Sequence, residues 1–304
     1  MMSNLVSVAK SGCANRNRLA LLVLLPALAA AAAGQQAPVG QKVIHDPAEY
    51  NAYTAALNTQ DATRRAEEME AFVQQYPQSV VLTDALEQEL AAWQTAGDSQ
   101  QMKRVAKRLL AVDSGDVRVL GIVVALDRAS AAQGDLESLN EMCVEATGGM
   151  RAVALWRKPA NMSDADFAEL SKLMNEVFIG AEGFCAVKEK NYPEARDWLA
   201  RALKIDPESV QDLYEFAIAD LETAPLDANG FWYCARAIHL AQSAAIPQDA
   251  SAMVDYCKAK YKKFHGSDDG WDAIVAASAV QETAPGDFAR QIKPAAASPA
   301  SPQK

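Results

Sequence analysis

The sequence lacks the motifs on which most recognisable enzyme chemistry rests. Its 304 residues hold no GxxxxGK[ST] phosphate loop and no GxGxxG fingerprint, so the usual ways of cradling a nucleotide phosphate on backbone N–H groups are missing. There is no G-x-S-x-G elbow to present a serine nucleophile. The three histidines, His45, His239 and His265, lie far apart and form no H-E-x-x-H pair, which argues against a metal site. Ser267-Asp268-Asp269-Gly270 resembles the start of a calcium loop, but counting from Asp268 the twelfth position is Ala279, which cannot ligate. The Gly148-Gly149 pair reads as a loop. Cations are also in deficit, with 29 Lys and Arg against 39 Asp and Glu and a net charge of −10. Such a chain repels phosphate backbones, so nucleic acid is excluded as a partner. No catalytic residue, cofactor or metal ligand is expected.

Beyond the N-terminus no apolar run reaches the roughly 20 residues that a membrane span needs. The N-terminus itself is different. Residues 1–18 carry Lys10, Arg16 and Arg18 and no acid, and residues 19–33 are apolar, ending in Ala31-Ala32-Ala33. A basic segment, a short apolar core and an A-x-A ending form a secretory signal, with cleavage expected near Ala33. Cys13 precedes the apolar core, where a lipid anchor would need it to follow, and Arg16 and Arg18 are not adjacent, as a twin-arginine signal would require. The expected product is exported and either periplasmic or secreted. It retains Cys143, Cys185, Cys234 and Cys257. An even count outside the cytosol permits disulfides. Each cysteine sits in a helix-like segment, however, and the sequence reading favours four small buried apolar side chains.

What the chain does have is helical periodicity. Half its residues are hydrophobic, enough for a core. Leu82, Leu86, Leu90 and Trp93 share one helix face, as do Met102, Val105, Leu109 and Val112, and Phe167, Leu170, Met174, Val177 and Phe178. No segment alternates as a strand would. Regular stops at Tyr76-Pro77, Gly97-Asp98, Gly115-Asp116, Gly134-Asp135 and Asp206-Pro207 predict helices of about 11 to 16 residues joined into antiparallel hairpins. Ser163 and Asp166 have the spacing of a capping box. The predicted organisation is a signal peptide over 1–33, a flexible leader over 34–45, and a helical-repeat domain over 46–282 that is capped from about residue 246. A disordered Pro/Ala/Ser-rich tail is expected over 283–304.

Residues 176–209 form a 34-residue unit with Gly183, Ala195, Ala202 and Pro207 at its eighth, twentieth, twenty-seventh and thirty-second places, and Tyr192 at its turn. This unit resembles a tetratricopeptide repeat. Small residues there let two helices cross closely, and the proline ends the second helix. Looser units span 46–79, 80–114, 117–150 and 210–245, the last with residues 223–230 inserted at its turn. The chain is also similar to exported tetratricopeptide proteins of environmental, Acidobacteria-like bacteria in residues 46–53, 229–233 and 260–271. The resemblance implies an all-α solenoid of antiparallel hairpins, a tetratricopeptide-like superhelix, because one hairpin cannot bury its apolar face alone.

The resemblance further implies binding on a concave face lined by the first helix of each hairpin. There Phe184, Val187 and Lys188 would meet Tyr214 and Ile218 of the next unit. Relatives that clamp a peptide carboxylate use Lys, Arg and Asn at such places; Gly180 and Phe184 stand here instead. A mostly apolar groove suits a helix or an extended peptide. A second candidate is an aromatic surface around Trp232, Tyr233 and Trp271, which would otherwise cap the end of the stack. The expected function is a non-enzymatic scaffold for a protein or peptide partner in the cell envelope. The alternatives are a polysaccharide-acting hydrolase on a helical scaffold and a structural subunit of an envelope complex.

Overall fold

The computed structural model describes residues 42–243 and 247–295, which are helical and without a strand. Five hairpins follow one another. They pair α1 (Pro47–Asn58) with α2 (Ala62–Gln75), α3 (Leu82–Ala96) with α4 (Ser99–Val112), and α5 (Val117–Ala132) with α6 (Leu136–Leu155). Then come α7 (Asp164–Lys188) with α8 (Tyr192–Ile205) and α9 (Val210–Glu222) with α10 (Gly230–Ser243). α11 (Pro247–His265) and α12 (Trp271–Val280) both pack on α10, and α13 (Phe288–Gln291) is a single turn. Each second helix packs on the first helix of the next hairpin, and α7 touches both α5 and α9. The chain is an all-α solenoid of antiparallel hairpins.

Local chemistry sets the boundaries. The side chains of Asp61, Asp98, Asp116 and Asp135 accept hydrogen bonds from the free N–H groups of the helices they precede, at 2.8 Å for Arg64 N and 3.0 Å for Gln101 N. Gly97 ends α3 at φ 76°, a left-handed conformation that glycine adopts without strain. Ser163 caps α7 by accepting from Asp166 N at 3.1 Å.

The core follows the stack. Met69, Phe72, Leu90, Val105 and Leu109 fill its first part, Met142, Met174 and Phe178 its middle, and Phe231, Ile238, Tyr261 and Trp271 its end. In the clearest repeat the small residues sit where the helices cross. A Cβ on Gly183 would lie 2.5 Å from Leu199 Cγ, and Ala195 and Ala202 are fully buried.

Several features differ from the sequence reading. α6, α7 and α11 run to 20, 25 and 19 residues, and the 176–209 unit begins inside α7 rather than at its start. Gly148 and Gly149 lie within α6, not in a loop, because the face of α6 that carries Gly149 presses on the Phe178 ring. The four cysteines are bridged: Cys143–Cys185 ties α6 to α7 and Cys234–Cys257 ties α10 to α11, with Cα separations of 5.9 and 6.0 Å. Their helical settings hid this, since each partner belongs to a different helix. The expected disorder from residue 283 does not hold through residue 295. Phe288 is buried against Trp232, with ring centroids 5.2 Å apart, and Ala295 N donates to Phe264 O at 2.7 Å. The expected signal peptide, the leader up to residue 41 and the tail from 296 lie outside the described residues. Lys42, from the end of the leader, pairs with Asp84 at 2.6 Å.

Candidate binding face

The sequence-predicted residues lie in a strip along α7 and α9, the first helices of adjacent hairpins that touch each other. On α7, Phe184 and Val187 are buried and Lys188 is exposed. The Lys188 ammonium stands 4.8 Å from the Phe184 ring centroid, and the Arg128 guanidinium of α5 lies 5.8 Å from the same ring. Phe184 is thus a platform beneath two cations and not itself an open contact. On α9, Ile218 is half-buried and packs against the cluster that holds Ala186, Val187, Leu199 and Ala219. Tyr214 is half-buried and meets Tyr256 of α11 edge to face at 5.9 Å.

Beyond Tyr214 the strip becomes polar. The Tyr256 hydroxyl donates to Glu222 at 2.8 Å, and the Lys260 ammonium reaches the same carboxylate at 2.6 Å. Burial alone would raise Glu222, but the bonds from Lys260 and Tyr256 outweigh it and hold the carboxyl below its ordinary range. Burial raises the phenol of Tyr256, and its bond to Glu222 raises it further. At pH 7 this end of the strip is one ion pair flanked by two neutral phenols.

The aromatic surface expected around Trp232, Tyr233 and Trp271 is not a surface. Trp232 and Trp271 are 2% and 3% exposed, inside the terminal core, and Tyr233 is half-buried against Phe216 at 4.8 Å. Closing the end of the stack demands large apolar rings, and these residues supply them.

Sequence reading missed the acids and bases that fold brings together from distant positions. Arg128 of α5 binds Asp212 at 2.6 Å and also Glu215, both on α9, and all three side chains are buried. Glu89 of α3 is fully buried beside Arg104, Arg108 and Glu70. Asp220 of α9 pairs with Arg196 of α8 at 2.8 Å. The partners of these pairs lie between 15 and 87 positions apart, beyond any local motif. The one local sign was a bare Gly180 at a place where a side chain would line the strip. Among the described residues no cluster of His, Cys, Asp and Glu suits a metal ion. A cleft of about 520 Å³ opens between residues 223–228 and the C-terminal strap, residues 281–295, and its ionised groups, Arg196 and Asp227, neutralise each other at 2.9 Å.

The sequence matches no protein family and no curated protein. Among solved structures it is similar to a crystal structure of PilW, described as a widely conserved type IV pilus biogenesis factor, at 12% identity over 76% of this chain and 99% of that one, with a TM-score of 0.39.

Proposed function

We propose that the protein is an exported, non-enzymatic scaffold that binds a peptide or protein partner in the cell envelope along the concave side of its repeats. The observation that carries this reading is the strip on α7 and α9. Lys188 is exposed above the Phe184 ring with no carboxylate partner among the described residues, and Ile218 and Tyr214 are half-exposed on the neighbouring α9. An exposed cation without a carboxylate partner, together with apolar and phenolic side chains, suits an extended or helical peptide that carries a carboxylate. Glu89, Asp212, Glu215 and Asp220 are engaged by arginines within the protein, which supports a role in the fold. Two disulfides agree with an oxidising compartment, as does the basic and then apolar start of the sequence.

The test is capture from an envelope fraction with the chain beginning at residue 34, repeated with Lys188→Glu and Tyr214→Ala. Loss of the captured partner by about tenfold or more in both variants, with unchanged helix content, supports the strip as the binding face; that factor corresponds to about 1.4 kcal/mol. Retention of the same partner by both variants at the wild-type level removes the strip from the reading.

A further inference from the structure

In a stacked repeat protein each hairpin ordinarily contacts only its neighbours, so opening at one place need not be felt two hairpins away. Here one side chain breaks that rule. Arg128 leaves α5, passes over α7 and ends on α9, where it binds Asp212 at 2.6 Å and also Glu215. It can cross only because α7 carries Gly180 beneath it. A Cβ there would lie 2.7 Å from Arg128 Nη1 and 2.6 Å from Asp212 Oδ1. The three charged groups are 7%, 0% and 4% exposed, so water screens them little. Separating α5 from α9 would strand ionised groups in an apolar setting, which is the costly way to break a buried pair.

We propose that the Arg128 bridge across Gly180 fastens the third and fifth hairpins directly, so that α5 to α10 open as one cooperative unit and not hairpin by hairpin. The binding strip lies on the same helices: Phe184 rests under the Arg128 guanidinium, and Lys188 stacks on the same ring. The fastener therefore presets the spacing of the strip before any partner arrives. It does not depend on whether the strip binds one.

Asp220 provides an internal control. It is a buried acid on the same α9, 1% exposed, but its arginine partner is on α8, an immediate neighbour. Native-state hydrogen exchange of the whole protein, read on peptides from α3, α5 and α9 at low denaturant, tests the idea. In the wild type α5 and α9 should share one opening free energy and one denaturant dependence, different from those of α3. If α5 and α9 of the wild type already open tenfold apart in rate, the proposal is overturned without any variant. The combined variant Arg128→Met, Asp212→Asn, Glu215→Gln removes all three charges at nearly constant volume. It should split α9 from α5 by at least tenfold in exchange rate, whereas Asp220→Asn should accelerate exchange in α9 and leave α5 and α9 matched to each other. Equal rates for α5 and α9 in the combined variant would show that ordinary packing through α7 couples them and that the bridge does not. Capture of a partner is scored separately, so a failed strip and a failed fastener give different results.

Discussion

At the scale of single residues, neighbouring glycines in α6 show how strongly environment decides. Gly148 faces open space, with nothing within 4 Å of an added Cβ, and Gly149 would place its Cβ 2.3 Å from the ring of the fully buried Phe178. Both sit in a helix interior, where glycine costs about 0.5–1 kcal/mol relative to alanine. Gly148→Ala should therefore stabilise the protein by about that amount. Gly149→Ala gains the same helix term but forces an aromatic ring to move inside packed surroundings, an overpacking cost of about 1–3 kcal/mol, so it should destabilise. Chemical denaturation of the two variants against wild type checks the opposite signs; equal effects would contradict the packing. The sequence could not separate these residues, because a glycine pair reads as a break until the ring that presses on one of them is known. Phe184 shows the reverse case. Its position on the first-helix face was legible from the repeat, but its burial under Arg128 and Lys188 was not, since Arg128 comes from a different hairpin.

At the scale of elements, most of the helices were legible because their ends are chemically marked: aspartates at N-caps, glycine where the backbone turns left-handed, proline just past the end of α8. What the marks could not convey is how helices are tied together. Each disulfide joins the second helix of one hairpin to the next helix along the chain, at separations of 42 and 23 residues. Closing loops of this size removes entropy from the unfolded chain worth about 3–4 kcal/mol per bridge on the chain-entropy account. Cys143→Ala with Cys185→Ala should lower the unfolding free energy by about 2–4 kcal/mol and speed exchange in α6 and α7 more than in α10. Thiol titration of the unfolded, unreduced chain beginning at residue 34 should find no free thiol; four would mean that the bridges are not made. The C-terminal strap obeys the same logic. Its Pro/Ala/Ser composition reads as disorder, but Phe288 docks against the Trp232 ring and Ala284, Ala289 and Ile292 pack on the same terminal core. Composition averages over a window, and docking depends on a few apolar contacts at particular positions.

At the scale of the whole molecule, the buried acids set a pH dependence that is unusual in sign. Burial pushes Glu89, Glu145, Glu215 and Asp220 each up to about 7. For Glu215 the Arg128 guanidinium from α5 lowers the value and Asp212 on its own helix raises it further. One guanidinium facing two carboxyls leaves the second acid easier to protonate. A carboxyl whose folded value stands above its unfolded value takes up a proton on folding between the two. Its stabilisation is therefore complete below the unfolded value, about 4, and is lost as pH rises through about 7. Glu70 works the other way. Burial opposes it, but bonds from Glu89, Arg108, Gln74 and Arg104 bring it down to about 2, so its contribution is present above the ordinary carboxyl range and is lost on acidification toward 2. The raised acids therefore make stability fall as pH rises from about 5 toward 7, whereas the lowered ones, Glu70 and Glu222 among them, act below the ordinary carboxyl range. The isoelectric point near 4.9 would favour the same fall through general charge repulsion, and salt separates the two causes. At about 1 M salt the screening length falls to about 3 Å, which quenches repulsion between surface charges but scarcely reaches groups inside the stack. Thermal unfolding midpoints measured from pH 4 to 8 should keep their fall above pH 5 in high salt, and Glu215→Gln should flatten part of it. A profile that becomes level in salt would assign the whole effect to surface charge and remove the buried acids as its cause.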